Sequence, residues 1–169
     1  MRATTVSITL FPPFRRRLPK AWLVRVVHTA LAVAPQEGEG VVDLVVADDE
    51  TVRRLNSAYR GLEEATDVLA FSFTHAGPYE GEGEPPPYDP SPWPLPPGVR
   101  LLGEVVLSYP QAARQARRAG RPIREEVAHL VVHGVLHLLG YDHHTPEGEA
   151  FMQGLERKAL AALFPKGGG

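Results

Sequence analysis

The sequence predicts an α+β fold, a small mixed sheet of about four strands packed with about five helices. Two observations carry that expectation. Stretches rich in β-branched residues fall in the first two thirds of the chain, and the last third holds only helical patterns, so the order reads β α β α β β α α α. A third observation, a histidine pattern at the end of one of the late helices, makes that helix the centre of the molecule.

Thr4 to Phe11 alternates polar and apolar residues and reads as a strand that Pro12-Pro13 ends. Arg15, Arg16, Arg17 and Lys20 form a basic run, read as a solvated surface or as a phosphate contact. Leu18 to Ala34 fits an amphipathic helix, with Trp22, Val26, Val27, Ala30 and Leu31 at helical spacing. Gln36 to Gly40 is a polar turn, and Val41 to Ala47 reads as a buried strand. Asp48-Asp49 offers an N-cap to a helix running to Tyr59, with Val52, Leu55, Asn56 and Tyr59 on one face and Arg53 and Arg54 on the other.

Thr66 to Phe73 is the third strand. From Thr74 to Gly98 proline and glycine dominate, which holds neither helix nor ladder, so a long loop or extended flap is expected. Tyr88 and Trp93 within it either stack on a base or pack the loop down. Leu101 to Leu107 is the fourth strand. Ser108 caps the next helix, Pro110 sits in its first turn, where a missing N–H costs little, and Gly120 ends it. Pro122 opens the histidine helix. Thr145-Pro146 caps a last helix, Glu147 to Phe164, with Phe151, Leu155, Leu160 and Leu163 as its apolar stripe.

Length and composition bound the possibilities. The 169 residues suit one domain, residues 1–169, with the loop at 74–98 inside it. With 43% hydrophobic and 22% charged residues the bulk is globular. A formal net charge of −2 offers no general attraction to nucleic acid, so a nucleic-acid partner needs a local basic patch. The absence of cysteine excludes disulfides and thiolate ligands, so a metal must use His, Asp or Glu. Met1 to Leu10 lacks the pattern of a secretory signal, and no apolar run reaches the roughly 18 residues of a membrane span, so a cytoplasmic location is expected.

His133-Gly-Val-Leu-His137-Leu-Leu-Gly140-Tyr-Asp-His143 carries the chemistry. On a helix, His133 and His137 stack one turn apart on one face, where two imidazoles can grip one ion. Gly140 supplies a left-handed residue that ends the helix, and the chain can return to bring His143 in as a third ligand. Three protein ligands and one open position are the mark of a catalytic zinc site. The expectation is a single metal-dependent hydrolase domain holding one zinc ion per chain, although nickel, copper and iron accept similar ligands. His144 competes with His143 for the third place. His129, one turn before His133, is a core or supporting residue rather than a ligand, and Asp142 either orients a ligand imidazole or caps the turn.

The spacing matches that of a class of zinc peptidases, but these carry Glu directly after the first His, and here Gly134 stands there. Arg60, just before Gly61, is either a surface charge or a bidentate donor to a phosphodiester.

The histidine stretch resembles the signature of the YbeY family of bacterial endoribonucleases. So do Leu55-Asn-Ser-Ala-Tyr-Arg-Gly61 with Thr66-Asp-Val-Leu-Ala-Phe71, and Gly103-Glu-Val-Val-Leu-Ser108. The resemblance spans about Val41 to Leu163. It implies a zinc ion on His133, His137 and His143, with Arg60 as the functionally important arginine. It further implies cleavage of single-stranded RNA in ribosomal RNA maturation, especially at the 3′ end of the small-subunit RNA, and in ribosome quality control. The implied partners are single-stranded RNA, ribosomal RNA and the ribosome, with no DNA and no membrane. Glu104 stands where the family usually has Asp, and Ala70 where it usually has Ser. The arginines at 114, 117, 118, 121 and 124 either track an RNA backbone or are solvated helix charges. A ribosome-assembly factor with a structural metal is the alternative from another class.

Overall fold

The computed structural model describes residues 5–34, 39–60, 66–72, 99–141 and 145–165. Its elements are β1 (Thr5–Leu10), α1 (Lys20–Val33), β2 (Glu39–Ala47), α2 (Asp49–Arg60), β3 (Val68–Ser72), β4 (Val99–Ser108), α3 (Tyr109–Ala119), α4 (Ile123–Leu138) and α5 (Pro146–Leu163), with a short 3-10 turn at Pro12–Phe14. The expected α+β order holds. The sheet is mixed, in the order β1-β2-β4-β3, with β1 and β4 parallel to β2 and β3 antiparallel to β4. The proline-rich stretch expected as a loop at 74–98 lies outside the described residues.

Local chemistry sets the helix ends. Asp48 Oδ1 accepts from Thr51 N–H at 2.8 Å, Ser108 Oγ from Gln111 N–H at 3.4 Å, and Thr145 Oγ1 from Gly148 N–H at 3.0 Å, each satisfying an orphan donor of a first turn. The first helix starts later than Leu18, because Pro19 disfavours helical backbone at the residue before it. Leu18 is instead a buried anchor ahead of the helix.

Alternation divides the sheet. Val42, Leu44 and Val46 of β2 and Val105 and Leu107 of β4 are fully buried in the main core with α1, α4 and α5. The other face is covered in part by α2, where Ala47, Val52, Leu69 and Val106 form a smaller cluster. Val41, Asp43 and Val45 on that face are only partly buried, so β2 is not the continuously buried strand its composition suggested. Helix α4 is central and packs against α1, α3, α5, β3 and β4.

Two glycines let α4 lie close on the sheet. A Cβ at Gly134 would fall 2.8 Å from Val105 Cγ1, and one at Gly103 of β4 would fall 2.5 Å from Leu138 Cδ2. Position 134 therefore faces the sheet, and a side chain there has no room.

The stripe expected on the last helix is displaced. Met152, Glu156, Ala159 and Leu163 are its buried residues, while Phe151 is 59% exposed. Phe151 stacks on Tyr141 with centroids 5.7 Å apart, and Leu155 and Leu160 are only partly buried at the flank of the core.

Candidate functional site

His133 and His137 occupy the C-terminal half of α4, one turn apart as their spacing requires. Their Nε2 atoms converge to 3.1 Å. A tetrahedral ion held by imidazoles at roughly 2.0–2.1 Å needs nitrogens roughly 3.3 Å apart, close to the spacing of this pair. His137 lies in the last turn of the helix, where the helix dipole favours positive charge. The helix then closes with Gly140 at φ 95°, Gly140 N–H bonding His137 C=O at 3.0 Å and Tyr141 N–H bonding Leu136 C=O at 3.1 Å. These are the two bonds of a Schellman end, and they turn the chain sharply after His137.

Sequence reasoning missed one member of the cluster, Glu156 on α5. Its Oε1 accepts from His133 Nδ1 at 2.9 Å and its Oε2 from His129 Nε2 at 3.1 Å. A carboxylate only accepts, so each imidazole donates at that nitrogen. In the neutral ring, donation from His133 Nδ1 leaves Nε2 as the acceptor, facing His137 Nε2. His129 therefore contacts the carboxylate rather than the converging pair, in keeping with a supporting role; its Nδ1 is buried with no hydrogen-bond partner among the described residues. Burial pushes Glu156 upward, but the hydrogen bonds from His129 and His133 outweigh it and hold the carboxyl at about 2. The hydrogen bond to Glu156 raises His129 against the opposing effect of burial. A cavity of about 420 Å³, lined by His129, His133, Glu149, Met152, Gln153 and Glu156, opens beside the imidazoles.

A signal for Glu156 was present. It stands four residues after Met152, a charged residue inside the apolar stripe of α5.

The other expected site residues fare differently. Arg60 is the last residue of α2. Its side chain lies outside the described residues, as do His143, His144 and Asp142. Among the described residues no group of three or more metal-ligating side chains is gathered. Glu104 does not join the histidines. It alternates with Val105, so it faces away from α4, and it stands opposite Asp43 in the register of β2 and β4. Burial raises Glu104, helped by the Asp43 charge, and burial raises Asp43 against a hydrogen bond from Ser7. Ala70, opposite Val105 in β3, packs against the main core.

Several arginines have structural partners. Arg114 Nη2 bonds both oxygens of Asp49 at 2.9 Å, Arg121 pairs with Glu126 at 2.5 Å, and Arg124 lies 5.4 Å over the Trp22 ring. Arg117 and Arg118 are exposed at the end of α3. No helix among the described residues is long and apolar enough to cross a membrane.

Fold and site together define a class: an α+β protein whose central helix presents a carboxylate-braced imidazole pair able to hold a cation. The chain belongs to the YbeY endoribonuclease family, whose model, described as Endoribonuclease YbeY, matches residues 14–164. It is 41% identical over 141 residues to Endoribonuclease YbeY of Moorella thermoacetica, covering 83% of this chain and 84% of the relative. It is 37% identical over 161 residues to that of a Roseiflexus species, covering 94% and 92%. The solution structure of TM1509 from Thermotoga maritima shares the fold, with a TM-score of 0.58 at 19% identity over 94% of this chain and 89% of that one.

Proposed function

We propose that this chain is a metal-dependent endoribonuclease that hydrolyses phosphodiesters of single-stranded RNA. In the cell it acts in ribosomal RNA processing, at the 3′ end of the small-subunit RNA, and in ribosome quality control. His133, His137 and His143 hold one zinc ion, and Arg60 binds the scissile phosphate. The observation that carries this is the convergence of His133 Nε2 and His137 Nε2 to 3.1 Å in a chain that matches the endoribonuclease family over residues 14–164.

Zinc held there would supply positive charge to polarise a phosphoryl oxygen and to make water more acidic. The residues do the rest. The three imidazoles would hold the ion through neutral nitrogen ligands. Arg60, always charged and bidentate, orients the phosphate and meets the negative charge that develops on it. Gly134 supports the distinction from peptidases, since a glutamate base at this position would run into Val105 instead of facing the ion.

Cleavage of a single-stranded RNA by zinc-loaded wild type, His137→Ala and Arg60→Glu tests the proposal. Wild type cuts, and each variant loses at least about 100-fold, the size of a lost charge-stabilising contact. Equal cutting by all three traces the activity to a contaminant and removes the proposal. Ribosome binding that persists without metal and without cleavage supports an assembly factor instead. The 3′ ends of small-subunit RNA in cells carrying only the His137 variant test the cellular role.

A further inference from the structure

We propose that Glu156 is a positioning residue for the metal centre: it fixes the tautomer and ring orientation of His133, and His129 holds it in place to do so. The inference rests on His133 being a ligand, as proposed above.

The geometry is specific. Met152, Ala159 and Leu163 dock α5 on the core and set Glu156 between two imidazoles that lie one turn apart on α4. The Glu156 side chain is only 10% exposed, and each of its oxygens has its own imidazole, 2.9 Å to His133 and 3.1 Å to His129. A carboxylate held at both oxygens does not rotate. His133 must then donate from Nδ1, which leaves the Nε2 lone pair directed at His137. A negative acceptor behind a ligand imidazole also makes that imidazole a better electron donor to a cation. An apolar residue would satisfy the packing of the α5 stripe equally well, so packing alone does not account for a buried carboxylate there.

The test compares wild type, Glu156→Gln, Glu156→Asp, His129→Gln and His137→Ala. Zinc affinity is measured by competition with a chromophoric chelator, and the His133 tautomer by imidazole nitrogen NMR shifts of the metal-free protein. Thermal melting checks that each variant is folded. Glu156→Gln and Glu156→Asp are expected to weaken zinc binding roughly 10–100-fold, the usual cost of losing such a partner. In both, His133 shifts from a single Nδ1–H tautomer to a mixture. His129→Gln keeps a donor to Glu156 and is expected to lose less zinc affinity than either Glu156 variant.

Wild-type affinity and unchanged His133 shifts in folded Glu156→Gln overturn the inference. So does an Nε2–H tautomer of His133 in the wild type, which needs no variant at all. If wild type binds no zinc, or His137→Ala binds it fully, the ligand assignment itself falls, and the two failures are distinct.

Discussion

Carboxylates taken out of water stand on both sides of the sheet, and burial pushes each of them upward while their neighbours act differently. On the α4 side Glu156 sits between two imidazole donors, and its carboxyl is held at about 2. On the other side Asp43 and Glu104 face one another across β2 and β4, and both are raised. The difference lies in donors. Two N–H groups favour the charged form of Glu156, whereas the single donor to Asp43, Ser7, does not offset its burial, and Glu104 is raised by burial and then by the Asp43 charge. The first arrangement is a brace for a neighbouring ring. The second is a local cost that the sheet tolerates on a face α2 only partly covers.

The largest change is expected from placing a carboxylate where neither arrangement exists. Gly134→Glu puts one against Val105 with no room and no donor. The expected loss exceeds about 4 kcal/mol, from an unpaired buried charge together with overpacking. Gly134→Ala isolates the steric part at about 1–3 kcal/mol. Soluble yield and thermal melts read both, and a stable Gly134→Glu protein contradicts the contact of α4 with β4.

Next comes removal of the brace. Glu156→Leu leaves the donors of His129 and His133 without their acceptor and is expected to cost about 3 kcal/mol, a fall in Tm of roughly 6–12 °C for a domain of this size. A melting point equal to wild type would erase the contrast between the two sites.

The pH dependence follows with opposite signs. Glu156 is depressed, so its contribution, on the order of 3 kcal/mol, is present above about 4.5 and is lost as pH falls toward about 2. His129 is raised, so its contribution is full below about 6.5 and is lost as pH rises through its folded value. Asp43 and Glu104 are raised, so between their ordinary and raised values the native state binds more protons than the unfolded chain. Their contribution there improves as pH falls. Denaturant titrations of the metal-free protein across pH, with Glu156→Leu and Glu104→Gln as references, separate these slopes.

The smallest expected effect is a gain. Glu104→Gln removes one of two facing like charges and is expected to stabilise by about 0.5 kcal/mol. In Asp43→Asn the same substitution should gain less, because the repulsion is gone and only the cost of burying the Glu104 charge is relieved. A double-mutant cycle that is fully additive would mean that the pair does not interact.

Much of the scaffold was legible in the chain. The element order, the caps at Ser108 and Thr145, the helical register of His133 and His137, and the turn at Gly140 all follow from local periodicity and backbone preference. These act over a few residues and leave their mark in short stretches. Phe151 was misplaced because a one-residue change of register rotates a helical stripe by about 100°. Apolar residues alone did not decide between the two faces of α5.

What only the tertiary structure decided involves partners distant in sequence. Glu156 lies 23 residues from His133 and meets it because α5 folds back along α4. Gly134 looked like a missing catalytic base; against β4 it is a point of close packing. Glu104 keeps the charge of the Asp usual in the family, and strand alternation turns it to the face away from α4. The sequence by itself determined the paired imidazoles, because i and i+4 geometry is local. Which groups stand behind them was decided by helix and sheet packing, which short-range spacing does not encode.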